Sequence, residues 1–360
     1  MPNCICGNLM DENGIKTSPL VSVIVLNWNG EEFIRRSLNS IRELEYTNIE
    51  VIVVDNASTD KSVDIIKREF PEFLLLRNSE NLGFSAGMNV GIRASQGDLI
   101  LLCNNDVIAH PASLSYMVST IRPKEVGIVG GLILYAEPSD VIGSLGGKFD
   151  AVTGMIWAEG QGRKLNATKG VEKDLIEDLD YVSGCAFLTR KDVIRKIGLF
   201  DEQFALLGQD LDWCLKARRT GFRCVLVPSA IIWHFSSYSF RRKPLISYAD
   251  RLKSDLQTII LHFPTIPMFS ALFFQITIAP FLEVFFYDQS DVPMVSRLRV
   301  RMKAFCENLK NLRILIRRRK QNNSLGDLRL KPRTLELVKF AIFRTRAKEF
   351  YLGKFLQKLE

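Results

Sequence analysis

Asn104-Asn105-Asp106 follows the apolar run Leu99-Ile100-Leu101-Leu102-Cys103. A carboxylate and an amide oxygen two positions apart on a loop can share one hard divalent cation with a diphosphate. His234 ends a second apolar stretch, Ile231-Ile232-Trp233. An imidazole there can join such a cation, or simply hydrogen-bond within the fold. Gln209-Asp210-Leu211-Asp212 opens a helical pattern after a loop at 204–208. Asp210 suits a helix N-terminus as a plain cap, and suits equally a general base lifting a proton from a hydroxyl. Asp212, two residues on, points elsewhere on the helix and fits a structural hydrogen bond. Asn27 and Asp55 close two further apolar runs. Any one of these is most simply a turn former, but Asn27, Asp55 and Asp106 together at strand ends favour a ligand site.

Such a site needs elements that bring those ends together. Residues 21–26, 49–54, 73–77 and 99–103 read as strands, and 31–44, 62–70 and 87–94 as helices. Most of these strands are apolar on both faces, which predicts a mostly parallel sheet covered by helices on both sides. Between residues 130 and 180 the pattern loosens and glycines cluster, as in a long excursion that shapes a substrate site. Short helices follow at 192–197 and 210–220, the second ended by Gly221. Residues 223–227 and 230–233 read as two short strands.

The 360 residues are 47% hydrophobic and 24% charged, which excludes a disordered chain and an ordinary multi-span membrane protein. Residues 241–360 hold 24 Lys+Arg against 10 Asp+Glu, which leaves 24 against 30 before them. An acidic front and a basic back predict two parts with different partners. The seven cysteines lie mostly in apolar runs and read as reduced core thiols; Cys4 and Cys6 lack a second ligand pair for zinc. The first twenty residues contain no apolar core of a signal peptide, so a cytoplasmic catalytic part is expected. Residues 259–287 are apolar with Glu283 as their one charged residue, but Pro264, Pro267 and Pro280 interrupt them. With the basic residues that follow, this predicts a monotopic or re-entrant membrane attachment rather than a clean span; a helical subdomain packed on the core is the alternative.

The blocks VSVIVLNWNG, VIVVDNASTD, NLGFSAGMNVGI, GDLILLCNNDV, VSGCAFLTRKDVIRKIGLFDEQF, GQDLDWCLKARRTGF and VPSAIIWHFSS, in this order, resemble the family 2 glycosyltransferases of GT-A fold. Among them the chain is most similar to rhamnosyltransferase-like members that build bacterial or archaeal surface polysaccharides. The resemblance implies an inverting transfer from a UDP- or dTDP-sugar to a glycan or lipid-linked acceptor, with Mg²⁺ or Mn²⁺. It implies that Asn27, Asn29 and Asp55 contact the nucleotide, that Gly83 and Gly87 let backbone approach the donor, and that Asn89 sits near the diphosphate. Asn104, with Asn105 beside it, and Asp106 stand where the family has its DxD motif, with Asp106 the chief metal ligand and His234 a late metal or diphosphate ligand. Asp210 matches the catalytic base, and Gly184, Cys185 and Ala186, with Asp212 nearby, line the sugar and acceptor pocket.

Two positions depart from the family pattern. Asn104 replaces a carboxylate, and Gln209 replaces the glutamate before the base, which removes a like charge and should lower the Asp210 pKa. The expected division is a tail at 1–19, a catalytic domain at 20–240 and a basic, partly apolar helical extension at 241–360. A dinucleotide-dependent oxidoreductase would need GxGxxG after the first strand, and Asn27-Trp28-Asn29-Gly30 does not supply it. The basic residues form no nucleic-acid module, so no nucleic-acid partner is expected. The remaining rival is a catalytically silent relative that binds a sugar nucleotide or a partner enzyme.

Overall fold

The computed structural model describes residues 18–165, 175–176, 179–204, 207–235, 244–281 and 294–339. Strands β1 (Val21–Asn27), β2 (Ile49–Asp55), β3 (Leu74–Arg77) and β4 (Leu99–Asn104) form where the apolar runs predict them. They alternate with helices α1 (Ile34–Arg42), α2 (Ser62–Glu69) and α3 (Gly83–Ala94). All four strands run parallel, in the order β3-β2-β1-β4. Val21, Val23 and Val25 join one core with Ile34 and Leu38 of α1, and Ile24 joins another with Met88 and Ile92 of α3. The strands are apolar on both faces because each face meets a helix layer.

Beyond β4 come β5 (Val107–Ala109), α4 (Ser113–Thr120), β6 (Val126–Tyr135), β7 (Ile142–Ser144), β8 (Gly147–Phe149) and β9 (Ile156–Ala158). Then follow β10 (Ala186–Arg190), α5 (Lys191–Ile197), α6 (Gln209–Arg219) and β11 (Arg223–His234). The sheet continues from β4 through β10, β6 and β11 to β5, with β7 on β6. Here the expectation of a mostly parallel sheet is corrected. β10 runs antiparallel to both β4 and β6, and β5 antiparallel to β11, so the sheet is mixed.

The expected loose excursion begins with a regular strand instead. β6 carries Gly127, Gly130 and Gly131, and a Cβ at Gly127 or Gly130 would press on Phe222 or Val182 at 2.7 Å. Its glycines serve close packing rather than turns. β11 is one strand rather than two: Pro228 has no N–H for the ladder, and the register shifts between Val227 and Ile231.

The C-terminal part comprises α7 (Pro244–His262), α8 (Thr265–Thr277), α9 (Met294–Lys310) and α10 (Leu312–Ser324). Ile259 and Phe263 pack with Leu211 and Leu215 of α6, and Leu261 with Phe204 and Leu315. Among the described residues no helix is long and apolar enough to cross a membrane. The boundary expected near residue 240, most of the expected N-terminal tail, and the end of the apolar run past residue 281 lie outside the described residues.

Candidate active site

Register brings the polar strand ends to one edge. Asn27 pairs with Asp55 across β1 and β2, and Leu26 with Asn104 across β1 and β4. Asn27 is fully buried and acts as a hub. Its Nδ2 donates to Asp55 Oδ1 at 3.0 Å, Ser58 Oγ at 3.1 Å and Ser62 Oγ at 2.9 Å, while its Oδ1 accepts from Asn105 Nδ2 at 2.9 Å. A Cβ on Gly30 would collide with both Asn105 Nδ2 and Asn27 Oδ1, so only glycine leaves room for that bond. Asp55 is also fully buried, accepting from Ser58 N at 3.2 Å, with Arg77 Nε 3.7 Å away. The contact with a nucleotide base expected of Asp55 is therefore not open at the surface of this conformation. Asn29 lies exposed at φ 49°, its Oδ1 accepting from Thr59 N at 2.8 Å.

Antiparallel pairing of β5 with β11 sets His234 opposite Val107, next to Asp106. Asp106 Oδ1 and His234 Nε2 stand 3.1 Å apart. Asn104 Oδ1 is buried with no hydrogen-bond partner among the described residues, a costly state for a carbonyl oxygen unless a ligand satisfies it. Asn104 N donates to Cys185 O at 2.9 Å, which joins the β4 end to the start of β10.

Asp210 reaches the same place from α6. Gly208, at φ 83°, turns the chain into the helix, and Asp210 Oδ2 accepts from Gly184 N at 2.9 Å. A Cβ on Gly184 would sit 3.0 Å from Asp210 Cβ, so glycine permits this approach. Burial raises the Asp210 pKa; the N–H groups of Gly184 and Leu211 and the charge of Arg251 on α7 oppose it, but burial wins. The lowering expected from Gln209 is thus overridden. Cys185, just before Ala186 opens β10, lies close enough to feel both carboxylates: burial first, then Asp106 and Asp210, lift its thiol to about 12. Cys185 is therefore an inert wall between the two acids.

Asn89, Gly87 and Asp212 each serve the packing of the fold, Asp212 in the structural role its place on the helix predicts. Asn89 is buried, its Nδ2 donating to Phe200 O at 2.9 Å and its Oδ1 accepting from Phe200 N at 3.0 Å. Both ends of its amide clamp the loop after α5, and Nδ2 donates also to Glu202 Oε1 at 3.1 Å. Gly87 lets α3 lie on β1, since a Cβ there would meet Leu26 Cδ1 at 2.6 Å. Asp212 is fully buried between His262 Nε2 at 2.9 Å and Lys216 Nζ at 2.7 Å, turned into the helix packing rather than into an open pocket.

Gly83, at φ 81°, is held in a loop organised by Asn56, which no sequence motif singled out. Asn56 Nδ2 donates to Gly83 O at 2.9 Å and its Oδ1 accepts from Asn78 Nδ2 at 2.9 Å. Arg251, whose charge acts on Asp210, was also missed, because only the tertiary packing of α7 against α6 brings it there.

Residues 22–198 match the family described as glycosyl transferase family 2. Glycosyltransferase AglE of Haloferax volcanii is 28% identical over 223 residues, which covers 61% of this chain and 67% of that protein. The N-acetylglucosaminyl-diphospho-decaprenol L-rhamnosyltransferase of Mycobacterium tuberculosis is 24% identical over 253 residues, 65% of this chain and 82% of that protein. Among solved structures, mannosyltransferase PcManGT of Pyrobaculum calidifontis, held in complex with GDP-Man and Mn²⁺, superposes with a TM-score of 0.52 at 17% identity. That match covers 82% of this chain and 76% of that one. At such identity the likeness shows a shared fold, the GT-A fold that the motif series implied. Residues 22–198 of this chain are a glycosyl transferase family 2 domain.

Proposed function

We propose that the chain is an inverting glycosyltransferase, with residues 20–240 as its catalytic unit. It takes a sugar from a UDP- or dTDP-linked donor, dTDP-rhamnose among the candidates, and delivers it to a hydroxyl of a glycan or lipid-linked acceptor. The setting is cell-surface polysaccharide or glycoconjugate synthesis at the cytoplasmic face of a membrane. The observation that carries this reading is the Asp106–His234 pair, 3.1 Å apart, together with the buried Asp210 held by Gly184 N, both carboxylates close enough to act on the Cys185 thiol. The similarity to an N-acetylglucosaminyl-diphospho-decaprenol L-rhamnosyltransferase supports the lipid-linked acceptor.

Asp106 and His234 offer an oxygen and a nitrogen donor of the kind Mg²⁺ or Mn²⁺ takes, and the orphaned Asn104 Oδ1, two residues before Asp106, is a further oxygen donor. A divalent cation held there would supply positive charge for the departing diphosphate. Asp210, its pKa raised by burial, is a stronger proton acceptor than an ordinary aspartate. It takes the proton of the acceptor hydroxyl as that oxygen bonds to the anomeric carbon and the bond to the diphosphate breaks. One displacement inverts the centre, and no covalent intermediate on the enzyme is needed. Asn27, Asn105 and Gly30 hold the loop that carries Asn104 and Asp106.

The catalytically silent alternative draws on the departures at Asn104 and Gln209. Calorimetry of UDP-, dTDP- and GDP-sugars with and without Mn²⁺, paired with a transfer assay, tests both readings. The enzyme reading expects metal-dependent donor binding with transfer, and loss of both in Asp106→Ala. Donor binding without transfer would favour the silent relative, and full activity in excess EDTA would remove the metal from the account.

A further inference from the structure

The C-terminal helices present apolar side chains that nothing among the described residues covers. On α8, Ile266, Phe269 and Phe273 recur at i, i+3 and i+7 and are 84%, 64% and 64% exposed. The opposite face is anchored: Ala271 and Gln275 are buried, and Gln275 Nε2 donates to Thr153 O at 3.1 Å. α9 repeats this arrangement. Val295, Leu298, Met302 and Leu309 are exposed along one stripe, while Arg301, Ala304 and Asn308 are buried behind them. Arg301 Nη1 donates to Gln275 O, which ties α9 to α8, and both helices pack on α7. α10 continues with Leu312 and Ile316 exposed and Leu315 buried.

Charge decides what covers these stripes. Residues 294–324 contain ten Lys and Arg against the single acid Glu307. Arg299, Lys303, Lys310, Arg313 and Arg317 are exposed beside the apolar stripes. A second copy of the chain would bring like charges together, and the core of a protein interface is depleted in charge. A nucleic acid would answer the charge but leave the phenylalanine and isoleucine side chains in water. An apolar stripe flanked by basic residues fits an anionic lipid surface on both counts. The 13 residues of α8 rise only about 20 Å, short of the roughly 30 Å hydrocarbon core, so the helix lies in the interface rather than across it.

We propose that α8, α9 and α10 form a docking surface for an anionic lipid bilayer, in which the exposed Phe, Ile and Leu side chains enter the headgroup boundary and the flanking Arg and Lys side chains meet lipid phosphates. The proposal rests on the transferase reading only for its purpose, which is to hold the active site over a membrane-borne acceptor; the surface itself stands on exposure and charge.

Flotation of the full chain with phosphatidylcholine vesicles, with and without phosphatidylglycerol, tests it directly. The chain should float with the anionic vesicles and be released by high salt. Arg299→Glu/Lys303→Glu/Lys310→Glu should weaken vesicle binding by on the order of 100-fold or more. Ile266→Ser/Phe269→Ser/Phe273→Ser should also abolish flotation, with thermal melting and donor binding unchanged in both variants. A chain that stays soluble beside anionic vesicles overturns the proposal, as does equal binding by the variants. So does a dimer that the variants dissociate without any vesicle binding, or an RNA complex in its place. Resistance to carbonate extraction overturns surface docking in favour of insertion. Donor binding measured on the same samples keeps the two readings apart: flotation without it sinks the transferase and leaves the docking surface standing.

Discussion

At Asp210 two opposing influences meet in one carboxyl group. Backbone N–H groups of Gly184 and Leu211 favour the charged form, while burial disfavours it more strongly, and the pKa rises. A base must be deprotonated to work, so transfer should fall with acid through a pKa above that of an ordinary aspartate. Gln209 sharpens this expectation. It is buried, with Oε1 unpartnered among the described residues, and Gln209→Glu would set a second carboxylate beside the base. That like charge should push the acid limb of kcat to higher pH, by roughly one unit, with donor affinity little changed. An unmoved limb in Gln209→Glu would mean that Asp210 is not the group being titrated. The sequence placed Asp210 at a helix start and named the neighbour that matters, but predicted a shift of the opposite sign. Burial by α7 and the 183–185 turn decides that sign, and neither is visible in a local motif.

At the scale of elements, α6 is held to the C-terminal part by a buried ionic cluster. His262 Nε2 meets Asp212 Oδ1 at 2.9 Å, Lys216 Nζ meets Asp212 Oδ2 at 2.7 Å, and Arg219 Nη2 donates to His262 O at 2.8 Å. Burial lowers the His262 pKa from its usual 6.5, against the pull of Asp212, so the fold favours the neutral ring. Burial would raise the Asp212 pKa, but Lys216 and His262 outweigh it and bring it well down. Both folded pKa values are depressed, so both groups stabilise the fold above their unfolded values and lose that contribution as pH falls. The His262 share is lost first, below about pH 6.5. Thermal melting should therefore fall from about pH 7 to 5 in the native chain. His262→Gln should cost roughly 1–3 kcal/mol at neutral pH and flatten that slope. A slope that His262→Gln leaves unchanged would place the acid sensitivity elsewhere. The legible elements were those whose pattern is local: β1, β2 and β4 are apolar on both faces, and Gly221 ends α6. β6 hid behind glycines that serve packing against Phe222 and Val182, and β11 was divided by Pro228. The antiparallel entry of β10 was not legible because no local pattern fixes strand direction. Of the expected site residues, Asp106 and His234 do meet at strand ends, Asn89 clamps Phe200, and Asp212 makes the structural bonds that its place on the helix predicts.

Across the whole molecule, the matched domain ends at residue 198, before Asp210 and His234. The fold supplies what that stretch lacks: β11 returns along β6 to bring His234 to Asp106, and α6 brings Asp210 to Gly184. The C-terminal helices then pack on α6 through Leu211, Leu215, Ile259 and Phe263, so they belong to the same folded body as Asp210. The central claim is that this assembly transfers a sugar by proton removal at Asp210. The measurement that bears on it most directly compares native chain and Asp210→Asn in a transfer assay with Mn²⁺ and the nucleotide sugar that binds, with donor affinity measured in parallel. Asparagine keeps the size and the hydrogen bonds but cannot take a proton at neutral pH, so transfer should slow by ~10²–10⁴-fold while donor binding stays nearly intact. Undiminished transfer by Asp210→Asn would contradict the account and leave Asp210 a helix cap.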